Sequence, residues 1–100
     1  MIYAVRSADV KHGKLEETFE WAVRVAMYVN GKHGTNLQVL RNVGGPGQRV
    51  HWLASYDSLA AYEEMGAKIV ADEGYQTLLA ELRDKELLGD WEDNLFATVP

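Results

Sequence analysis

The sequence contains no cysteine and only three histidines in 100 residues. Without cysteine the chain can form neither a disulfide framework nor a thiolate metal site, and this absence fits a reducing compartment. The histidines His12, His33 and His51 are scattered, and no His-x₃-His, Glu-x-x-His or clustered carboxylate pattern is present. We therefore predict neither a metal site nor a cofactor.

The chain also lacks the charge and the long apolar runs that several classes of protein need. Fifteen acidic residues oppose ten basic ones, for a net charge of −5. A nucleic-acid-binding surface usually needs a basic stripe, and none is visible. The start, Met1 to Arg6, has no signal-peptide pattern, and Arg24 interrupts the longest helical apolar stretch. We predict a cytoplasmic protein that binds neither nucleic acid nor membrane.

The pattern of apolar residues predicts one α+β domain over residues 1–100. Strands are predicted at about 2–7, 36–43, 48–56 and 94–99, with a hairpin loop at Gly44-Gly45-Pro46-Gly47. A first helix is predicted at about 14–30, and a second helical region begins after a cap at Asp57 or Ser58 and breaks near Asp72-Glu73-Gly74. Residues 87–93 are predicted as a connector. Because each βαβ crossover is right-handed, the β-α-β-β-α-β order predicts a ferredoxin-like fold. This fold has a four-stranded antiparallel sheet with both helices on one face.

The first helix has two apolar rows rather than one. Leu15, Phe19, Ala22, Ala26 and Val29 form the core stripe of an amphipathic helix. Trp21, Val25 and Tyr28 form a second row, which a helix exposed on one side does not need. We interpret the two rows as a wide core face, with a contact to a partner or ligand as the alternative.

Alternation along the strands predicts two different faces of the sheet. The face toward the helices is predicted to contain Leu37, Val39, Val43, Val50, Trp52, Ala54, Tyr56, Leu95, Ala97 and Val99. The opposite face mixes polar and apolar residues: Gln38, Leu40, Asn42, Arg49, His51, Leu53, Ser55, Phe96 and Thr98, with Ile2, Ala4 and Arg6 from the first strand. Its footprint is roughly 300 Å². A partly apolar face of this size usually binds something, and a second copy of the chain is the simplest partner, so we predict a homodimer.

These features resemble a known superfamily. The segment Tyr56-Asp57-Ser58-Leu59-Ala60-Ala61-Tyr62-Glu63 entering the long helix, the helix break at 71–78 and the ending Leu95-Phe96-Ala97-Thr98-Val99-Pro100 are similar to those of dimeric α+β barrels. The resemblance covers nearly the whole chain and is greatest to NIPSNAP-like and antibiotic-biosynthesis-monooxygenase-like members. It implies two facing sheets and a cavity in each protomer. Haem-degrading members carry a ligand histidine on the second helix, and this chain has no histidine after His51, so it departs from them there.

The candidate site centres on His51, which lies in the middle of a predicted strand. Arg49 precedes it at period two, and a neutral imidazole there could act as a general base. One hypothesis is a cofactor-independent oxygenase or isomerase for a small aromatic or polyketide-like molecule. Its cavity would contain His51, Arg49 and Gln38, with Trp52 and Tyr62 shaping the wall from the helix side. The other hypothesis is a non-catalytic binding or assembly module, in which His51 is a hydrogen-bonded residue of the dimer interface.

Overall fold

The computed structural model describes residues 1–45 and 47–100, and it has the ferredoxin-like architecture that the sequence predicts. The elements are β1 (Ile2–Val10), α1 (Leu15–His33), β2 (Gln38–Arg41), β3 (Arg49–Tyr56), α2 (Leu59–Val70), α3 (Glu73–Lys85) and β4 (Leu88–Ala97). The strands form one antiparallel sheet in the order β2-β3-β1-β4. Across the described part of the chain, no helix is both long and apolar enough to cross a membrane.

The helix boundaries follow from local chemistry. Gly34 ends α1 in the left-handed conformation (φ 70°), and its N–H donates to the carbonyl of Asn30 at 3.0 Å. The Ser58 hydroxyl caps α2 by accepting from the N–H of Ala61 at 3.1 Å. Asp72 caps α3 in the same way through Tyr75. The predicted break near residue 72 therefore divides the second helical region into two helices.

The core lies between the sheet and α1. Trp21, Ala22, Val25 and Val29 are buried there against sheet residues that include Val50 and Trp52. The wide core face predicted for α1 is present, because Trp21 and Val25 of the second row are among the buried residues. Both also border a cavity, so the alternative of a ligand contact stays a prediction. Leu15 of the first row is 37% exposed and Thr18 is buried instead, so the buried side is rotated away from the predicted stripe.

The first strand faces the other way from the prediction. Ala4 pairs with Ala54 and Arg6 with Trp52, so Ile2, Ala4 and Arg6 lie on the helix side, whereas Tyr3 and Val5 lie on the opposite face. This strand is in the middle of the sheet and has apolar residues on both sides. Its alternation therefore did not distinguish the two faces.

The last strand begins earlier than predicted. Leu88–Ala97 is paired with β1 along most of its length, including residues 88–93, which the sequence predicted as a connector. Asp90, Glu92 and Asp93 conceal the strand pattern because they lie on an exposed edge strand, where charged residues are common. β2 and β3 are antiparallel neighbours, as expected for a hairpin, and Pro46 of the predicted loop lies outside the described residues.

Candidate functional site

A cavity of about 170 Å³ lies between the sheet and the helices. Its base is formed by Ala4 of β1 and Ala54 of β3, which are neighbours in the sheet register. Gly66 of α2 also borders the cavity, and a Cβ added to Gly66 would meet nothing within 4 Å. Three residues with small side chains, from three separate elements, thus leave the space unfilled.

Aromatic and aliphatic side chains form most of the cavity wall. Trp21 meets Trp52 edge to face with ring centroids 5.8 Å apart, and Tyr56 meets Tyr62 in the same way at 5.4 Å. Burial and the nearby Tyr62 raise the pKa of Tyr56, so its phenol stays protonated near neutral pH. The remaining wall residues include Val25, Leu37, Ile69, Val70, Tyr75, Leu79, Leu82, Leu88 and Trp91.

One ion pair provides the charge in this wall. Arg6 and Asp93 are opposite each other in the register of β1 and β4. The guanidinium binds the carboxylate through two hydrogen bonds, Nε to Oδ1 at 2.7 Å and Nη2 to Oδ2 at 3.0 Å. The Cζ of Arg6 also lies 4.5 Å from the ring centroid of Trp91.

The other face of the sheet, which we call the open face, changes character along its length. Tyr3, Val5, Leu53 and Phe96 make one end largely apolar, and Gln38, Ser55 and Asn94 are their polar neighbours in the register. Ser7 and His51 form a polar centre. At the far end Arg49 approaches Asp9 at 3.2 Å and Glu92 at 3.4 Å. In the part of the chain that the structure describes, no helix packs against this face, and Tyr3, Leu40 and Phe96 are 39%, 41% and 53% exposed.

His51 is held on the open face by hydrogen bonds at both ring nitrogens. The side-chain amide of Asn42 donates to the carbonyl of Gly44 at 3.2 Å, which leaves Asn42 Oδ1 to accept from Nε2 of His51 at 2.7 Å. Nδ1 then accepts from the Ser7 hydroxyl at 2.6 Å. Burial, together with the positive charge of Arg49, lowers the pKa of His51, which fits this neutral tautomer.

This serine–histidine–asparagine chain has the order of a nucleophile, a base and an orienting group. A serine nucleophile also needs N–H donors that stabilise an oxyanion. Ser7 lies in the middle of a strand that is paired on both sides, so the neighbouring backbone N–H groups are committed to the sheet. The geometry therefore favours a hydrogen-bonded polar centre, and the catalytic role of His51 stays a prediction.

The five predicted site residues are not brought together. Trp52 and Tyr62 line the cavity on the helix side, whereas His51, Arg49 and Gln38 lie on the open face. The single cavity that we expected from these five residues is therefore divided by the sheet. Five cavity residues were not predicted from the sequence: Arg6, Asp93, Gly66, Tyr75 and Trp91. One signal was available, because Arg6 is a lone charge on the row Ile2, Ala4, Arg6, Ala8.

The carboxylate of Asp72 has a structural role. Asp72 accepts hydrogen bonds from the hydroxyl of Tyr28 at 2.7 Å and from Nε2 of His33 at 2.8 Å. These bonds, that of Tyr28 most strongly, hold the pKa of Asp72 well below its usual value and tie α1 to the start of α3. Among residues 1–45 and 47–100, no group of three or more histidine and carboxylate side chains is placed to hold a metal ion.

Comparison with known proteins identifies the family. The NIPSNAP family profile matches residues 3–100, so the chain belongs to the NIPSNAP family. A crystal structure of an Agrobacterium tumefaciens protein is 20% identical, with a TM-score of 0.83 over 99% of this chain and 94% of that one. An uncharacterised NIPSNAP domain protein from Burkholderia xenovorans is 16% identical, with a TM-score of 0.83 over 99% and 95%.

The fold also extends beyond NIPSNAP proteins. A putative antibiotic biosynthesis monooxygenase from Deinococcus radiodurans is 14% identical, with a TM-score of 0.73 over 100% of this chain and 94% of that one. No curated protein sequence matches the chain. At these identities the solved structures establish the shared fold, and the fold by itself does not define a reaction.

Proposed function

We propose that this protein binds a small, largely apolar aromatic molecule in the cavity between its sheet and its helices. The observation that carries this proposal is the aromatic wall around an unfilled volume of about 170 Å³. An apolar cavity of about 150 Å³ is enough to hold benzene. Protein interiors are usually close-packed, so a void of this size near the core is a candidate ligand site.

We further propose that the protein acts as a homodimer joined through the open face. Its apolar end contains the half-buried Val5 and Leu53 beside the more exposed Tyr3 and Phe96. The polar centre at Ser7 and His51 already satisfies its hydrogen bonds within one protomer. A second sheet could therefore cover it without leaving those groups unpaired.

The cavity supports binding more directly than it supports catalysis. Its titratable groups are the ion-paired Arg6 and Asp93 and the tyrosines Tyr56, Tyr62 and Tyr75. His51 is on the other side of the sheet. A non-catalytic binding module is thus the function that the geometry favours.

A cofactor-independent oxygenase or isomerase acting on an aromatic or polyketide-like molecule is the second candidate. The similarity in fold to a putative antibiotic biosynthesis monooxygenase favours it. The cavity would then hold an electron-rich substrate that reacts directly with dioxygen. Oxygen uptake by the protein with hydroxylated bicyclic aromatics should exceed uptake by the Gly66→Leu variant, and equal rates would exclude the oxygenase reading for these substrates.

Filling the cavity provides the test of binding. Gly66→Leu places a side chain where an added Cβ meets no neighbour, and Gly31→Leu makes the same change at an exposed position of α1 that is equally free of contacts. We expect single-ring and bicyclic aromatics to shift the indole N–H signals of Trp21 and Trp52 in NMR spectra. The shifts should persist in Gly31→Leu and disappear in Gly66→Leu.

A different result would count against the site. If Gly66→Leu binds the same aromatics as the native chain, the ligand lies elsewhere. If no aromatic probe shifts either indole signal at millimolar concentration, the cavity is a packing defect and the proposed function is wrong.

A further inference from the structure

Arg6 is a charged residue on an otherwise apolar row of the central strand. Ile2, Ala4 and Ala8 share its face toward the helices. An arginine on such a row loses part of its hydration, and this loss is costly unless its donors are used. The side chain is 37% exposed, which places the guanidinium at the boundary between the cavity and solvent.

Two neighbours fix the orientation of this guanidinium. Asp93 holds its Nε and Nη2 edge, and the ring of Trp91 supports its flat side. A guanidinium clamped from two directions loses little further conformational freedom when it binds a ligand. Arg6 is thus arranged before any ligand arrives.

The clamp leaves some N–H donors of the guanidinium unused. Arginine carries five N–H donors, and the pair of bonds to Asp93 uses two of them. Asp93, and more weakly the nearby phenol of Tyr75, raise the pKa of Arg6, so Tyr75 is a further neighbour of the guanidinium. Its single oxygen can occupy only part of the donor capacity that remains. Both carboxylate oxygens of Asp93 accept from Arg6 and keep further lone pairs, so the polar corner of the cavity offers the guanidinium donors beside an anionic group.

From this geometry, and resting on the proposed function, we propose that Arg6 is a specificity-determining residue of the cavity. It donates a hydrogen bond to a neutral carbonyl oxygen attached to the ring of the bound aromatic molecule. The adjacent carboxylate of Asp93 offsets the charge of Arg6 and would repel an anion. An anionic ligand would also lose its hydration against the apolar wall.

Three small probes of similar size separate these possibilities. Acetophenone carries a neutral carbonyl, ethylbenzene replaces it with a methylene group, and benzoate carries a charge. Binding can be followed at the indole N–H groups of Trp21 and Trp52, because both side chains line the cavity. These N–H groups donate to the main-chain carbonyls of Leu78 and Ala22. We expect acetophenone to bind about tenfold more tightly than ethylbenzene and benzoate to bind more weakly than acetophenone.

Substitutions then assign the preference to Arg6. Arg6→Met keeps the apolar stem and removes the donors, and it should lower the affinity for acetophenone about tenfold while leaving that for ethylbenzene within about twofold. Arg24→Met is the matched control, because Arg24 is also ion-paired, to Glu81 at 2.8 Å, but on the surface of α1 and α3. It should change neither affinity.

The outcomes distinguish this inference from the proposed function. If neither acetophenone nor ethylbenzene perturbs the two indoles, the binding function itself fails. If both bind equally to the native protein, the cavity binds aromatics but Arg6 does not select among them, and this comparison needs no variant to fold. If benzoate binds more tightly than acetophenone, the preference for a neutral oxygen is overturned.

Discussion

The two faces of the sheet differ in how their apolar residues are arranged. On the helix side, large aromatic side chains surround small residues, and an unfilled cavity remains beneath the helices. On the open face, the residues are of mixed polarity, and the side chains of Ser7, His51 and Asn42 form hydrogen bonds with one another. The first face is suited to enclose a small molecule, and the second is suited to be covered by another sheet.

The largest expected effect is on dimer dissociation and arises from a substitution on the open face. Leu53→Glu would place a charge at the apolar end of the proposed interface, where an unpaired carboxylate is expensive to bury. We expect dimer dissociation to become at least about 100-fold easier, as measured by analytical ultracentrifugation. Glu63→Lys, at an exposed position of α2, should leave dissociation nearly unchanged.

The native protein should run at about twice its chain mass in light scattering coupled to gel filtration. A monomer at micromolar concentration would contradict the dimer proposal. Equal small effects of Leu53→Glu and Glu63→Lys would show that the partner does not cover the apolar end.

The next largest expected effect is on the free energy of unfolding, at Gly74 in the first turn of α3 on the helix side of the sheet. A Cβ at this position would collide with the ring and hydroxyl of Tyr28, which donates to Asp72. We expect Gly74→Ala to lower the free energy of unfolding by about 1–3 kcal/mol, the usual cost of overpacking. Gly31→Ala, where an added Cβ meets nothing, should instead raise stability by about 0.5–1 kcal/mol.

Chemical denaturation of the two glycine variants would measure this difference. A Gly74→Ala variant as stable as Gly31→Ala would mean that Tyr28 can move away freely. The contact between α1 and α3 at Asp72 would then be less specific than the structure indicates.

The smallest effect is the pH dependence of the polar centre. Because burial and Arg49 lower the pKa of His51 in the folded state, the unfolded chain binds the proton more readily. Stability should therefore decrease as the pH falls through about 6.5, the usual value for histidine, until folded His51 is protonated as well. The melting temperature should drop between about pH 7.5 and about pH 5.

His51→Gln should show a smaller drop over this interval, because it removes the group that titrates. His12→Gln, in the exposed turn after β1, serves as the control and should behave like the native chain. If His51→Gln keeps the full pH dependence, the loss of stability at low pH arises from other groups. The neutral hydrogen-bonded state of His51 would then be contradicted.

Much of the fold could be predicted because its signals are local. Ser58 and Gly34 mark helix ends through their own side chain or backbone. In β3 a clear alternation separates Trp52 and Ala54 from His51 and Leu53, and the register confirms that these pairs lie on opposite faces. The site was harder to predict, because the sequence showed which residues share a strand face but not which face encloses a space.

Sequence alone determined the order of the elements, the antiparallel ferredoxin-like arrangement and the mixed character of the open face, since these depend on periodicity and on right-handed connections. Only the tertiary structure decided which way β1 faces, because both of its sides carry apolar residues. It alone showed that Asp93 belongs to a strand, since its partner Arg6 is 87 residues away. The cavity, too, could be recognised only from the tertiary structure, because the void arises where small residues far apart in the chain come together: Ala4, Ala54 and Gly66.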